Sequence, residues 1–109
     1  MNRGQIVVVA ARGAYSGKTR PAVVVQSDDF ASTTSVTVCL MTSAPVDAPL
    51  LRVQIEPNPF NGLADRSWVM VDKVVTVPRR QIGRSVGRLN AADVTRLNRG
   101  LAVFLGLGG

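Results

Sequence analysis

Apolar residues recur at helical spacing in one long stretch of this chain, near its end. Val94, Leu97, Leu101 and Leu105 line up, and Phe104 widens the stripe. Asn90 stands before the stripe as an N-cap, Asp93 sits at capping-box spacing from it, and Gly106 stops it. Everything upstream is cut into short runs of β-branched residues separated by Gly, Pro, Asn and Asp. Gln5–Ala11 and Ala22–Gln26 read as buried strands, the second opened by Pro21 at a position that tolerates proline. In Ser35–Thr42, Val36, Val38 and Leu40 alternate with Thr37, Cys39 and Met41. In Leu50–Ile55, Arg52 and Gln54 mark one wet face. Ser67–Val71 and Val74–Val77 read as segments broken at Asp72-Lys73, and Ser85–Leu89 as a last short strand. Ser27-Asp28-Asp29 and Pro78-Arg79-Arg80-Gln81 each suit one helical turn. Many short strands and one terminal helix predict a mainly β (α+β) domain over 1–109, a small closed barrel or curled sheet plugged by its helix.

Charge and residue type narrow the chemistry. The net charge is +6, and eleven of the thirteen basic residues are arginine. Arginine's planar fork suits phosphate, so nucleic acid and a strongly acidic protein are both fitting partners. Histidine is absent and Cys39 is the single cysteine, which removes the commonest general base and argues against a zinc site. Cys39 lies in an apolar run and reads as a buried, inert thiol suited to a reducing cytoplasm. The longest apolar runs are far short of the about 20 residues a membrane span needs. Gly13-Ala14-Tyr15-Ser16-Gly17-Lys18-Thr19 is one residue short of a P-loop and leads into a strand, so it is not read as a nucleotide site.

Several ordered segments resemble the MazF/PemK toxin family. Arg3-Gly4-Gln5-Ile6-Val7 is similar to that family's opening strand, and Lys18-Thr19-Arg20-Pro21-Ala22-Val23-Val24-Val25 to its Lys-x-Arg-Pro-x-Val-Val-Val segment. Val36–Ser43, with Thr42-Ser43 at its end, resembles the Val-x-Val-x-Pro-Ile-Thr-Ser strand. Gly62-Leu63 through Trp68–Val74, and Gly87-Arg88-Leu89 before the helix, complete the order. The chain departs from the pattern in a short first loop, in Leu40 and Met41 for Pro and Ile, and in Lys73 for Gln.

The resemblance implies an SH3-like β-barrel of the MazF/PemK/CcdB type with a C-terminal helix. It implies a homodimer that cleaves single-stranded RNA without a metal or other cofactor, and a cognate antitoxin whose acidic segment occupies the RNA groove. It makes Arg20 and Thr42 the catalytic candidates. Ser16, Lys18, Tyr15, Ser43, Asp72, Arg79 and Arg80 are candidates for RNA contacts. Alternatives remain for several. Asp72 reads as a general base, a base-edge reader or a surface turn acid. Phe60, like Tyr15, suits base stacking, and equally packing. Trp68 suits the core or a dimer interface better than a stacking platform. Arg79, Arg80, Arg84 and Arg88 form a basic cluster that lines a phosphate path or is a solvated face. Two further functions fit the same fold: a CcdB-like gyrase poison, against which stands the internal position of the only tryptophan, and a non-catalytic nucleic-acid-binding barrel.

Overall fold

In the computed structural model, which describes residues 1–10 and 19–108, the chain follows the order β1 (Gln5–Ala10), β2 (Thr19–Val24), β3 (Ser35–Thr42), β4 (Arg52–Ile55), β5 (Ser67–Pro78), β6 (Ile82–Arg88) and α1 (Ala91–Leu105). The six strands form one antiparallel sheet in the order β4-β5-β3-β2-β1-β6. The mainly β reading with a terminal helix is the observed one. The sheet is curled but not closed: β4 and β6 are its two edges.

Apolar residues on both faces of the central strands explain the curl. Ile6, Val23, Cys39, Met41, Val53, Ile55, Val69 and Val71 point to the side where α1 lies and pack with Leu97 and Leu101. Val7, Val9, Ala22, Val24, Val36 and Val38 form a second cluster on the opposite side, against Leu40, Val75, Val77 and Ile82. A flat sheet would leave that second set wet, so the far half of β5 and the start of β6 fold across it. Cys39 is fully buried, as its apolar surroundings predicted.

The helix starts as expected: the Asn90 side chain accepts the Asp93 amide at 2.8 Å. The capping box is incomplete. The Asp93 carboxylate pairs with Arg96 at 3.0 Å, being one methylene shorter than the glutamate that reaches back to an N-cap amide. Gly106 ends the helix in the left-handed conformation at φ 71°, which lets the Leu107 amide reach the Ala102 carbonyl at 2.8 Å. The buried stripe stops at Leu101; Phe104 and Leu105 are exposed. No helix among the described residues is long and apolar enough to cross a membrane.

Other boundaries shift. β2 begins at Thr19 rather than after Pro21, and β4 begins at Arg52. β6 begins at Ile82, well before Ser85. The predicted break at Asp72-Lys73 is not a gap: β5 is continuous, and the register against β3 shifts between Cys39↔Val74 and Met41↔Val69. Polar residues at a bulge mimic a turn in the sequence. Asp28–Phe30 and Arg79–Gln81 are single 3₁₀ turns.

The connection between β4 and β5 is fixed by one side chain. Asn61 is fully buried. Its Oδ1 accepts the amides of Asn58 and Leu63, both at 3.1 Å, and its Nδ2 donates to the Glu56 carbonyl at 2.9 Å. Asn58 Oδ1 in turn accepts the amides of Phe60 and Asn61. Asn61→Ala leaves three backbone groups without their partner. We expect a loss of about 3 kcal/mol in stability, read as a drop of roughly 13 °C in Tm. A variant that melts with the parent refutes this role for Asn61.

Candidate active site

Strand register directs the two candidate catalytic residues toward one another. β2 and β3 pair as Ala22↔Leu40, Val23↔Cys39 and Val24↔Val38. Continued two residues outward, the same register sets Arg20 opposite Thr42, on the face that carries Ala22 and Leu40. Antiparallel partners stand about 5 Å apart at Cα. Thr42 in turn faces Trp68 on β5, and Trp68 faces Gln54 on β4. Thr42, Trp68 and Gln54 therefore form a row across three strands, and the β2 register extended outward directs Arg20 toward its end. The alternating residues beside them, Met41, Val69 and Ile55, point into the core beneath α1, so the row lies on the opposite face.

Each member has a local reason for its position. Arg20 is half-buried at the start of β2, paired with Val9, and Pro21 stiffens the backbone behind it. Thr42 is half-buried at the end of β3, and its Oγ1 accepts the Ala44 amide at 3.1 Å. That bond fixes the hydroxyl oxygen and leaves its proton to donate. Ser43 is exposed just beyond. Trp68, read from the sequence as core or interface, is half-buried beside Thr42.

The other candidates divide. Asp72 is not on a turn. It lies in β5, where Arg52 Nη1 donates to its Oδ1 at 2.6 Å, with both side chains largely buried. Arg52 Nη1 also donates to the Leu51 carbonyl at 2.9 Å. An acid held this way acts first as a structural partner: removing one half of such a pair leaves the other charge stranded. Nothing in the sequence marks Arg52 as that partner, because the β4–β5 register that sets Arg52 opposite Met70, one diagonal step from Asp72, has no local signature. Arg79 is likewise occupied. Its Nε donates to the Thr33 carbonyl at 3.0 Å and its Nη2 to those of Ala31 and Thr33, which ties the 3₁₀ turn to the loop before β3. Arg80, Arg84 and Arg88 are exposed. Tyr15, Ser16 and Lys18 lie outside the described residues.

The titratable groups leave little for conventional acid–base chemistry. Burial pushes the Cys39 thiol up to about 11, with Arg3 opposing and Asp72 reinforcing the shift, so no thiolate nucleophile forms near neutrality. Hydrogen bonds from Arg66 and Gln54 hold the exposed Glu56 carboxyl below its usual range. Among the described residues, no group of three or more His, Cys, Asp and Glu is placed to hold a metal ion. What the site offers is a guanidinium and a hydroxyl on one sheet face, a set able to bind a phosphate and stabilise charge upon it.

Comparison with known proteins gives this arrangement a family. The profile for the PemK-like, MazF-like toxin of type II toxin-antitoxin system matches residues 2–105. A curated relative, the probable endoribonuclease MazF of Mycolicibacterium smegmatis, is 52% identical over 109 residues, covering all of both chains. Among solved structures, the Mycobacterium tuberculosis toxin MazF-mt6 superposes with a TM-score of 0.79 at 23% identity, over 94% of this chain and 96% of that one. A MazE–MazF complex from Deinococcus radiodurans gives 0.79 at 18% identity, over 99% and 97%. The structural likeness establishes the shared fold, and the profile and the close relative establish more: the chain belongs to the PemK-like, MazF-like toxins of type II toxin–antitoxin systems.

Proposed function

We propose that this chain is a metal-independent, sequence-selective endoribonuclease that cleaves single-stranded RNA in the cytoplasm and thereby arrests translation and growth. The observation that carries the reading is the β2–β3 register, which, extended two residues past Ala22↔Leu40, directs Arg20 toward Thr42. Its close relative's name, probable endoribonuclease, supports the substrate class. The absence of histidine from the sequence supports a mechanism in which RNA supplies its own nucleophile.

In that mechanism the ribose 2′-hydroxyl attacks the adjacent phosphorus. The O2′–P bond forms as the P–O5′ bond breaks, leaving a 2′,3′-cyclic phosphate and a 5′-hydroxyl end. The 2′ proton passes to water or through the Thr42 hydroxyl, and the departing 5′-oxygen gains a proton. Arg20 grips the non-bridging oxygens bidentately and Thr42 donates to the same phosphate. Aligning the hydroxyl with the phosphorus contributes up to about 7–11 kcal/mol. Each preorganised donor adds about 3 kcal/mol. Ser16, Lys18, Tyr15, Ser43 and Arg80 extend the RNA contact, while Asp72 and Arg79 hold the surfaces around it. The working form is a homodimer, and an acidic antitoxin, flexible until it binds, restrains it. The net charge of +6 suits both partners.

Incubation with an unstructured transcript in excess chelator tests the proposal. We expect discrete cuts whose downstream fragments carry 5′-hydroxyl ends, at a rate unchanged by the chelator. A protein that leaves every single-stranded transcript whole, or that cuts only with added divalent cation, rules the reading out.

A further inference from the structure

Away from the Arg20 row, the fold displays an aromatic ring that it does not pack. Phe60 is 64% exposed. Isolated exposed apolar residues are ordinary, but this one is held out by a rigid support. The Asn58–Asn61 bonds lock its loop, and the Arg88 amide donates to the Phe60 carbonyl at 3.0 Å. The loop lies so close to β6 that a Cβ on Gly87 would meet the Phe60 carbonyl oxygen at 2.5 Å. A ring carried this way has already lost its backbone freedom, so little further ordering opposes binding.

The ring borders an open cleft of about 740 Å³ whose walls include Arg3, Gln5, Asp28, Phe60, Ser85 and Arg88. Arg88 is exposed, and no hydrogen bond or ion pair engages its side chain among the described residues. Arg3 spends its Nε on the Val25 carbonyl at 2.8 Å. Asp28, the acid in the wall, accepts the Arg3 amide at 2.6 Å. An open aromatic face beside an uncommitted guanidinium is the pairing that holds an unstacked base and its phosphate.

We propose that the Phe60–Arg88 cleft is a second nucleotide subsite, in which Phe60 stacks an unpaired base and Arg88 binds the neighbouring phosphate. The proposal rests on the endoribonuclease reading and adds a distal contact to it. Gln5 lines the cleft, whereas Val9, four residues along the same strand, pairs with Arg20. That separates the two places by about 13 Å along β1 alone. One strand must therefore be several nucleotides long to occupy both, and the cleft lengthens the RNA stretch that the protein senses.

The test uses the full chain and two labelled 2′-O-methyl oligoribonucleotides, which lack the attacking hydroxyl, centred on a sequence that the wild type cuts. A tetranucleotide spans roughly 10 Å when stacked and a dodecamer roughly 37 Å. The dodecamer exceeds the molecule's longest extent of 33 Å. We expect Phe60→Ala to weaken dodecamer binding about tenfold and the tetranucleotide less than twofold, with Phe60→Trp restoring the difference. Arg88→Ala should reduce the salt dependence of dodecamer binding by about one phosphate contact. If Phe60→Ala binds both lengths as the wild type does while transcripts are still cut, the subsite is wrong and the ribonuclease reading stands. If the wild type neither binds nor cuts RNA, both fall. If Phe60→Ala weakens binding of polyglutamate and spares both oligonucleotides, the cleft is a dock for an acidic polypeptide and the nucleotide subsite is overturned.

Discussion

Arg20→Ala will lower RNA cleavage by about a thousandfold and abolish growth arrest, with the fold intact. The magnitude follows from the task assigned to the guanidinium. Charge builds on the non-bridging oxygens as the 2′-hydroxyl attacks, and losing one preorganised donor to such charge costs about 10²–10³ in rate. Arg20 supplies a fork of donors and a full positive charge, which places it at the upper end. The fold is spared because Arg20 is the second residue of β2, outside both apolar clusters, and its backbone pairing with Val9 does not depend on the side chain. Cleavage kinetics on a defined oligonucleotide, with a melting curve beside them, make the check. A folded variant that still arrests growth removes Arg20 from the mechanism. Arg20→Lys should recover only part of the rate, since an ammonium keeps the charge but cannot reproduce the bidentate fork.

A single 2′-deoxy sugar at the cleaved position will abolish scission there while leaving affinity within a few-fold of the all-ribose strand. The substitution deletes the nucleophile and nothing the protein is proposed to grip, because Arg20 and Thr42 address the phosphate. The comparison separates chemistry from binding in one experiment. Scission of the deoxy strand at an unchanged rate means that water attacks instead, and the product ends would then be a linear phosphate rather than a cyclic one. In that outcome the protein needs a water-activating base.

Much of the candidate site follows from residue order. Arg20 stands ahead of a proline and a valine run, and Thr42 closes an alternating strand. Both are local facts, and both were legible. The fates of Asp72 and Arg79 were not. In the sequence each is a polar residue flanking a β segment, indistinguishable from a solvated turn. In the fold, the β4–β5 register, which sets Arg52 opposite Met70, carries Asp72 to Arg52, and the 3₁₀ turn carries Arg79 to two carbonyls of a loop more than forty residues earlier. Phe60 shows the same limit from the other side. Its type suits packing or stacking equally, and only the buried Asn61 beside it decides that the ring points outward.

By itself, the sequence determined the elements and their chemistry. Period-2 and period-3.6 patterns set the strand segments and one helix, and the fold joined two of those segments into β5. Asn90 and Gly106 set the helix ends, and the lack of histidine set the kind of catalysis available. Tertiary structure alone decided which side chains meet. Strand register joins residues twenty to eighty positions apart. The physical reason is one of range. Propensity, capping and turn chemistry act over a few bonds and leave their mark in neighbouring letters. Cross-strand pairing is settled by burying two apolar faces at once, a condition on the whole sheet that no local segment records.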